Sequence, residues 1–223
     1  MKSGQRSPAS ESVSPRRAKQ GLAISFVLAV SAAPFALINK DFAMLGTGMD
    51  ETLHTLLRFC ALMGMSLLFL QIVTGAFRPI LRRSFRPKTV QSFHTGFGLA
   101  GLAFIICHFV LLIPSIGEHL ANLNHGFLVL GPVMMLVLLT TISTALLLRR
   151  THPAVWSRLH VLNYAVFTVG LIHAMGIGTQ GSALTGRVLL AVYMAIGLWG
   201  LAYRASSPAW RHRFVPSLVK GAR

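Results

Sequence analysis

Long apolar runs alternate with short polar, mostly basic stretches from residue 20 nearly to the end of the chain. A helix that crosses a bilayer needs about 20 mostly apolar residues. Six runs have that length, at about 20–39, 54–77, 92–113, 126–148, 154–176 and 186–204. The pattern predicts an all-α polytopic membrane protein, a six-transmembrane-helix bundle over residues 20–204. Residues 1–19, MKSGQRSPASESVSPRRAK, are polar, basic and rich in Ser and Pro, so they predict a disordered tail with no apolar surface to order it. Residues 205–223 predict a second basic tail. The run GLAISFVLAVSAAPFA has the form of a signal-peptide core, but the long polar stretch ahead of it favours a retained first helix.

Composition supports the membrane reading: 53% of the 223 residues are hydrophobic and 12% charged, too little polar sequence to cover an aqueous surface. The net charge of +16 raises the question of nucleic acid. The basic residues, however, sit beside alternate helix ends. Lys2, Arg6, Arg16, Arg17 and Lys19 precede the first run, and Arg78, Arg82, Arg83, Arg86 and Lys88 join the second to the third. Arg149, Arg150 and Arg158 mark the fourth connection, and Arg204, Arg211, Arg213, Lys220 and Arg223 follow the sixth run. The opposite loops hold Lys40 and Arg187 with Asp41, Asp50, Glu51 and Glu118. By the positive-inside bias, both termini are expected in the cytoplasm. No nucleic-acid partner is expected, and the expected location is the bacterial cytoplasmic (inner) membrane. Cys60 and Cys107 fall within apolar runs, so no disulfide framework is expected.

Of nine histidines, five (His54, His119, His125, His152 and His212) sit at segment ends, in loops or in a tail. His94, His108, His160 and His173 lie within the third and fifth runs, which cross in the same direction. At about 1.5 Å per residue, His94 to His108 spans about 21 Å and His160 to His173 about 20 Å. Matching depths yield two cross-helix pairs, His94 with His160 and His108 with His173. Intramembrane ionisable groups commonly face the bundle interior for a functional reason, so two ligated centres are expected. Zinc generally takes three or four protein ligands, and no acid or cysteine is placed to complete either pair. A b-type haem takes two axial ligands in an apolar slot. Gly96, Gly98 and Gly101 offer either room for a flat macrocycle or tight helix packing. Phe97, Phe104 and Phe167 lie at intermediate depths, as bundle core or between macrocycles. One mismatch stands out. At about 100° per residue, 13 residues leave His160 and His173 about 140° apart around their helix, which requires tilt, supercoiling or local deformation; one haem with a spare pair is the alternative to two.

HTGFGLAGLAFIICHFVLL, followed by WSRLHVLNYAVFTVGLIHAMG at 156–176, resembles the ferric reductase-like transmembrane domain. Ferric reductases, NADPH oxidases and the haem subunit of the methionine sulfoxide reductase system share that domain. The specific parts are the paired histidine spacing and Trp156, Leu159, His160, Leu162 and Tyr164. The resemblance covers roughly 20–204 and implies stacked bis-histidine haem b with ligands at His94, His108, His160 and His173. It implies transmembrane electron transfer, an oxidoreductase component. About 19 residues follow the sixth run, so any flavin is expected only on a separate partner. The donor is then a flavoprotein or a quinone, and an acceptor is met on the outer side. The sulfoxide-reductase haem subunits tend to carry a basic residue where His94 stands, which favours two haems here.

Arg158, beside the inner ligand, is the expected partner of haem propionates. The Arg78–Lys88 loop and the Arg149–Arg150 pair serve topology and anionic lipid, neutralise haem propionates alongside Arg158, or dock an acidic flavoprotein or quinone-side donor. Three other readings compete: a single-haem quinol-linked cytochrome b subunit serving a periplasmic reductase, a non-redox transporter or channel, and a structural subunit whose histidines bond across helices. Pro34 and Pro132 are the only prolines within the six runs, and no acid lies at depth, which counts against a transporter.

Overall fold

The computed structural model describes residues 14–42, 45–46, 48–115, 125–177 and 184–207. It is all-helical. The helices are α1 (Pro15–Leu37), α2 (Asn39–Phe42), α3 (Met49–Ala76), α4 (Arg78–Leu81), α5 (Pro87–Leu112), α6 (His125–Thr151), α7 (Pro153–Leu159), α8 (Leu162–Ile177) and α9 (Leu184–Ser206). Six spans are long and apolar enough to cross a membrane, with α7 and α8 together forming the fifth.

The first helix begins earlier than its hydropathy suggests. Ser14 caps it, its Oγ accepting from the Arg17 amide at 3.4 Å, and proline occupies the first turn. Pro15 to Lys19 are therefore helical rather than tail. The rest of the expected N-terminal tail, the segment after 207 and most of the loops at 114–125 and 177–185 fall outside the described residues.

α3 is the central helix. In its most apolar window 61% of residues are buried, against 28% or less in the other spans. It packs on α1, α5, α8 and α9, while α6 packs on α7 and α8. Phe69, Leu70 and Leu171 are wholly buried at the centre. Phe69 lies flat on Tyr193, ring centres 4.1 Å apart and 8° from parallel, and meets Phe167 at 6.1 Å. Several polar groups at depth find partners within the bundle, as hydrocarbon demands. Ser66 Oγ and Tyr193 Oη share a hydrogen bond of 3.1 Å, and Thr74 and Thr141 donate back to their own helices at Leu70 O and Leu138 O.

The most extensive helix contact is that of α3 with α5. Leu57, Cys60, Gly64, Leu68, Gln71 and Gly75 recur along α3 with a period of about 3.6, one face of the helix. A Cβ on Gly101 would lie 3.3 Å from Gly64 O, and one on Gly64 equally close to Gly101 O. A Cβ on Gly98 would meet Gln71 at 2.7 Å. Gly98 and Gly101 thus serve helix packing, while the Cβ position of Gly96 meets nothing within 4 Å.

Charge separates to the two ends of the bundle. At one end Arg16 Nε and Gln20 Nε2 donate to Ser84 O at 3.2 and 2.7 Å, and Arg204 donates to Gly75 O at 2.6 Å. Arg149 covers Trp156 from the same end, its guanidinium carbon 5.9 Å from the ring centre. At the opposite end Arg58 pairs with Asp41 at 2.8 Å, beside a cleft lined by Asp50, Glu51 and His54.

The fifth span is broken at the residue that matters most. α7 ends at Leu159 and α8 starts at Leu162. The amides of Val161, Asn163 and Tyr164 each bond three residues back rather than four, to Arg158, His160 and Val161. Tightening three residues from about 100° to about 120° each narrows the expected rotational mismatch between His160 and His173 from about 140° to about 80°.

Candidate functional site

His94 comes from the first half of α5, and His160 occupies the break between α7 and α8. The two rings meet with centres 5.7 Å apart, their planes crossed at 76°. Trp156 stacks on His160 with ring centres 5.3 Å apart. In the opposite half of the bundle stand His108, near the end of α5, and His173, near the end of α8. These two rings lie close enough to interact through charge. All four are half-buried.

Three of the four rings hang from a main-chain carbonyl through Nδ1. His94 reaches Gln71 O at 3.0 Å, His108 reaches Leu57 O at 3.1 Å and His173 reaches Phe127 O at 2.7 Å. A carbonyl oxygen only accepts, so Nδ1 carries the proton and Nε2 of the neutral ring keeps its lone pair. This is the tautomer of an orienting second-shell bond to a metal-ligating histidine. His160 Nδ1 faces the Asn163 side-chain amide at 3.2 Å, while Asn163 Oδ1 is buried without a partner. The amide's two ends are assigned from the hydrogen bonds they make. With its oxygen turned to His160, Asn163 would accept from Nδ1 and all four imidazoles would share one tautomer, the amide nitrogen then taking the unpartnered place.

The accepting carbonyls are open for a reason written in the sequence. A helical carbonyl points toward the residue four positions on. That residue is Gly75 for Gln71, Gly131 for Phe127 and Ala61 for Leu57. A Cβ on Gly75 would lie 3.1 Å from His94 Cε1, and one on Gly131 3.0 Å from His173 Cε1. Small residues there let an imidazole from the next helix approach the carbonyl edge-on.

No family model, curated protein or solved structure matches the chain. Its chemistry is therefore argued from the site. Among the described residues no group of three or more His, Cys, Asp or Glu side chains is placed to hold a metal ion, so each pair offers two imidazole nitrogens.

Around His94 and His160 runs a narrow cleft of about 100 Å³, lined by Gln91, Trp156, Asn163, Tyr164 and the arginines Arg78, Arg149 and Arg204. Gln91 Oε1 accepts from Arg78. Arg78 Nε, Trp156 Nε1 and Asn163 Oδ1 are all buried without partners, and all three residues line this cleft. Burial, then the charges of Arg82, Arg204 and Arg149, pulls the Arg78 guanidinium below its ordinary pKa. The two uncompensated donors, Arg78 Nε and Trp156 Nε1, beside clustered positive charge favour an anion. Arg158, the expected anion partner, is exposed and is not part of this lining.

Other expected groups are placed as follows. Phe97 stacks on Phe93, Phe104 meets Phe59 edge-on and Phe167 joins the central aromatic stack. His54 and His152 are exposed. His119 and His212 lie outside the described residues. Sequence reasoning missed Arg58, which pairs with Asp41, and missed Arg204 as a cleft residue beside Arg78 and Arg149.

Proposed function

We propose that the chain is a transmembrane electron-transfer subunit holding two b-type haems, one between His94 and His160 and one between His108 and His173. The observation that carries this reading is the Nδ1–H···O=C arrangement, which leaves an Nε2 lone pair free at three of the four corners of the two pairs. Two ring nitrogens each about 2.0 Å from a metal, with about 1.1 Å from ring nitrogen to ring centre, would put ring centres about 6.2 Å apart, about 0.5 Å beyond the 5.7 Å of the inner pair.

Haem held by these histidines would supply one-electron redox chemistry, with both imidazoles of a pair occupied in favour of electron transfer over oxygen binding. The chain's residues do the rest. Gln71, Leu57 and Phe127 fix ring orientation and raise imidazole basicity through the Nδ1 proton. Arg78, Arg149, Arg204 and Trp156 Nε1 offer charge and donors to the carboxylates of the inner macrocycle. The apolar faces of α3, α5, α6 and α8 exclude water between the two levels.

The basic end faces the cytoplasm by the positive-inside bias, and the membrane is the bacterial cytoplasmic (inner) membrane. Electrons enter at the basic end from a separate flavoprotein or quinone and leave to an acceptor at the end that carries Asp41, Asp50 and Glu51. The resemblance of the third and fifth spans to the ferric reductase-like transmembrane domain supports the same reading and makes the chain an oxidoreductase component.

The test is vectorial. Purified protein is reconstituted into vesicles that enclose ferricyanide, and dithionite is added outside. The proposal expects internal ferricyanide to be reduced many-fold faster than in protein-free vesicles, and to depend on haem loading. A rate equal to that of empty vesicles, with haem bound, contradicts electron conduction.

A further inference from the structure

The two cysteines of the chain, separated by nearly fifty residues, meet. Cys60 lies on the α3 seam and Cys107 beside the α5 seam, with their thiols close enough to interact. The helix register brings the two residues to one level. α3 and α5 are antiparallel, with Leu57 O opposite His108 Nδ1 at 3.1 Å and Gly64 opposite Gly101 and Ile105. Cys60 falls between those two levels on α3, and Cys107 falls between Ile105 and His108 on α5. Glycine at the crossing draws the two backbones together. A disulfide needs Cα atoms about 4.4–6.8 Å apart, a separation that such close helices favour. The pair is also asymmetric in access, since Cys60 is buried and Cys107 is exposed.

We propose that Cys60 and Cys107 are a redox-active dithiol that closes to an interhelical disulfide between α3 and α5, with a lipid-soluble quinone as its oxidant. Two S–H bonds break and one S–S bond forms. The two electrons and two protons released convert the quinone to its hydroquinone. Cys107 lies within a membrane span on an open face, so the oxidant that reaches it is one that partitions into hydrocarbon. Cys60 stands one turn from Leu57, and Cys107 is next to His108. The closed disulfide therefore pins the carbonyl and the imidazole that it orients, and it holds one corner of the outer pair. The inference does not rest on haem being bound.

The experiment uses the full chain in phosphatidylcholine nanodiscs, reduced and then treated with decylubiquinone, whose fully substituted ring does not alkylate thiols. Denatured samples are alkylated and weighed. Before treatment both thiols take label. Afterwards neither takes label, the mass falls by about 2 Da, a peptide pair linked through Cys60 and Cys107 is found, and one hydroquinone is formed per disulfide. Dithiothreitol restores both labels. Cys60→Ser and Cys107→Ser keep one labelled thiol and form no hydroquinone beyond the blank. The proposal is overturned if both wild-type thiols remain fully labelled after quinone. It is overturned equally if oxidation joins two chains through Cys107 and leaves Cys60 free.

Discussion

His94 and His160 face each other across the basic end of the bundle with ring centres 5.7 Å apart and planes crossed at 76°. One is placed by a regular helix and the other by a break in one. The three-residue hydrogen bonds around His160 turn its ring from where an unbroken helix would leave it. Straightening that break would carry the imidazole off the pair.

The glycines four residues beyond the accepting carbonyls give a selective prediction. Gly75→Val places a branched side chain where His94 Cε1 stands 3.1 Å from a bare Cβ position, and Gly131→Val does the same to His173 at 3.0 Å. Gly75→Val is expected to remove the inner haem and spare the outer one, and Gly131→Val the reverse. Haem content and the α-band of each purified variant check this. Gly→Ala at either place asks the ring to shift only a few tenths of an ångström, so both haems are expected to remain.

Positive charge in the cleft should tune the inner centre. Arg78→Gln and Arg204→Gln remove cations that stabilise added negative charge, so each is expected to lower the inner midpoint potential by tens of millivolts, on the order of a screened pair interaction. Arg158→Gln, on an exposed side chain outside the cleft, should leave it unchanged. Redox titration followed in the visible spectrum separates the three variants.

Bundle stability should be concentrated on α3. Phe69 is wholly buried between Tyr193 and Phe167, and Phe69→Ala is expected to cost about 3–5 kcal/mol. Ser66→Ala removes the partner of the Tyr193 hydroxyl and should cost about 1 kcal/mol. Thermal unfolding in detergent should rank these variants in that order.

The Arg58–Asp41 pair is about a quarter exposed on each side, and its expected contribution is small. Arg58→Gln should lower stability by less than about 1 kcal/mol. The inner haem should not change, because the pair lies at the end away from the basic cleft. A combined melt and haem assay checks both statements.

The six spans were legible because hydrocarbon enforces apolar length on each helix independently of its neighbours. The depths of His94, His108, His160 and His173 were legible for a similar reason, since rise per residue is a local property. What surrounds those rings was not. Arg78 reaches the cleft only because the chain turns at α4 and returns along α5, and Arg204 arrives from the last helix. Arg158, close in sequence to His160, points elsewhere. The roles of Gly98 and Gly101 were open until α3 was seen to pack on them. One signal was present and unread: Gln71 with Gly75, and Phe127 with Gly131, each pairs an acceptor carbonyl with a glycine one turn on. The two thiols were likewise unreadable as a pair until the α3–α5 register was known.

The most direct measurement is the haem-to-protein ratio of the purified chain, from the pyridine haemochrome spectrum, repeated for the four single His→Ala variants. The account predicts about two low-spin b haems per wild-type chain. It predicts about one in every variant, with His94→Ala and His160→Ala losing the same spectral component and His108→Ala and His173→Ala losing the other. A colourless protein after expression with ample haem, or losses that pair His94 with His108, would contradict it.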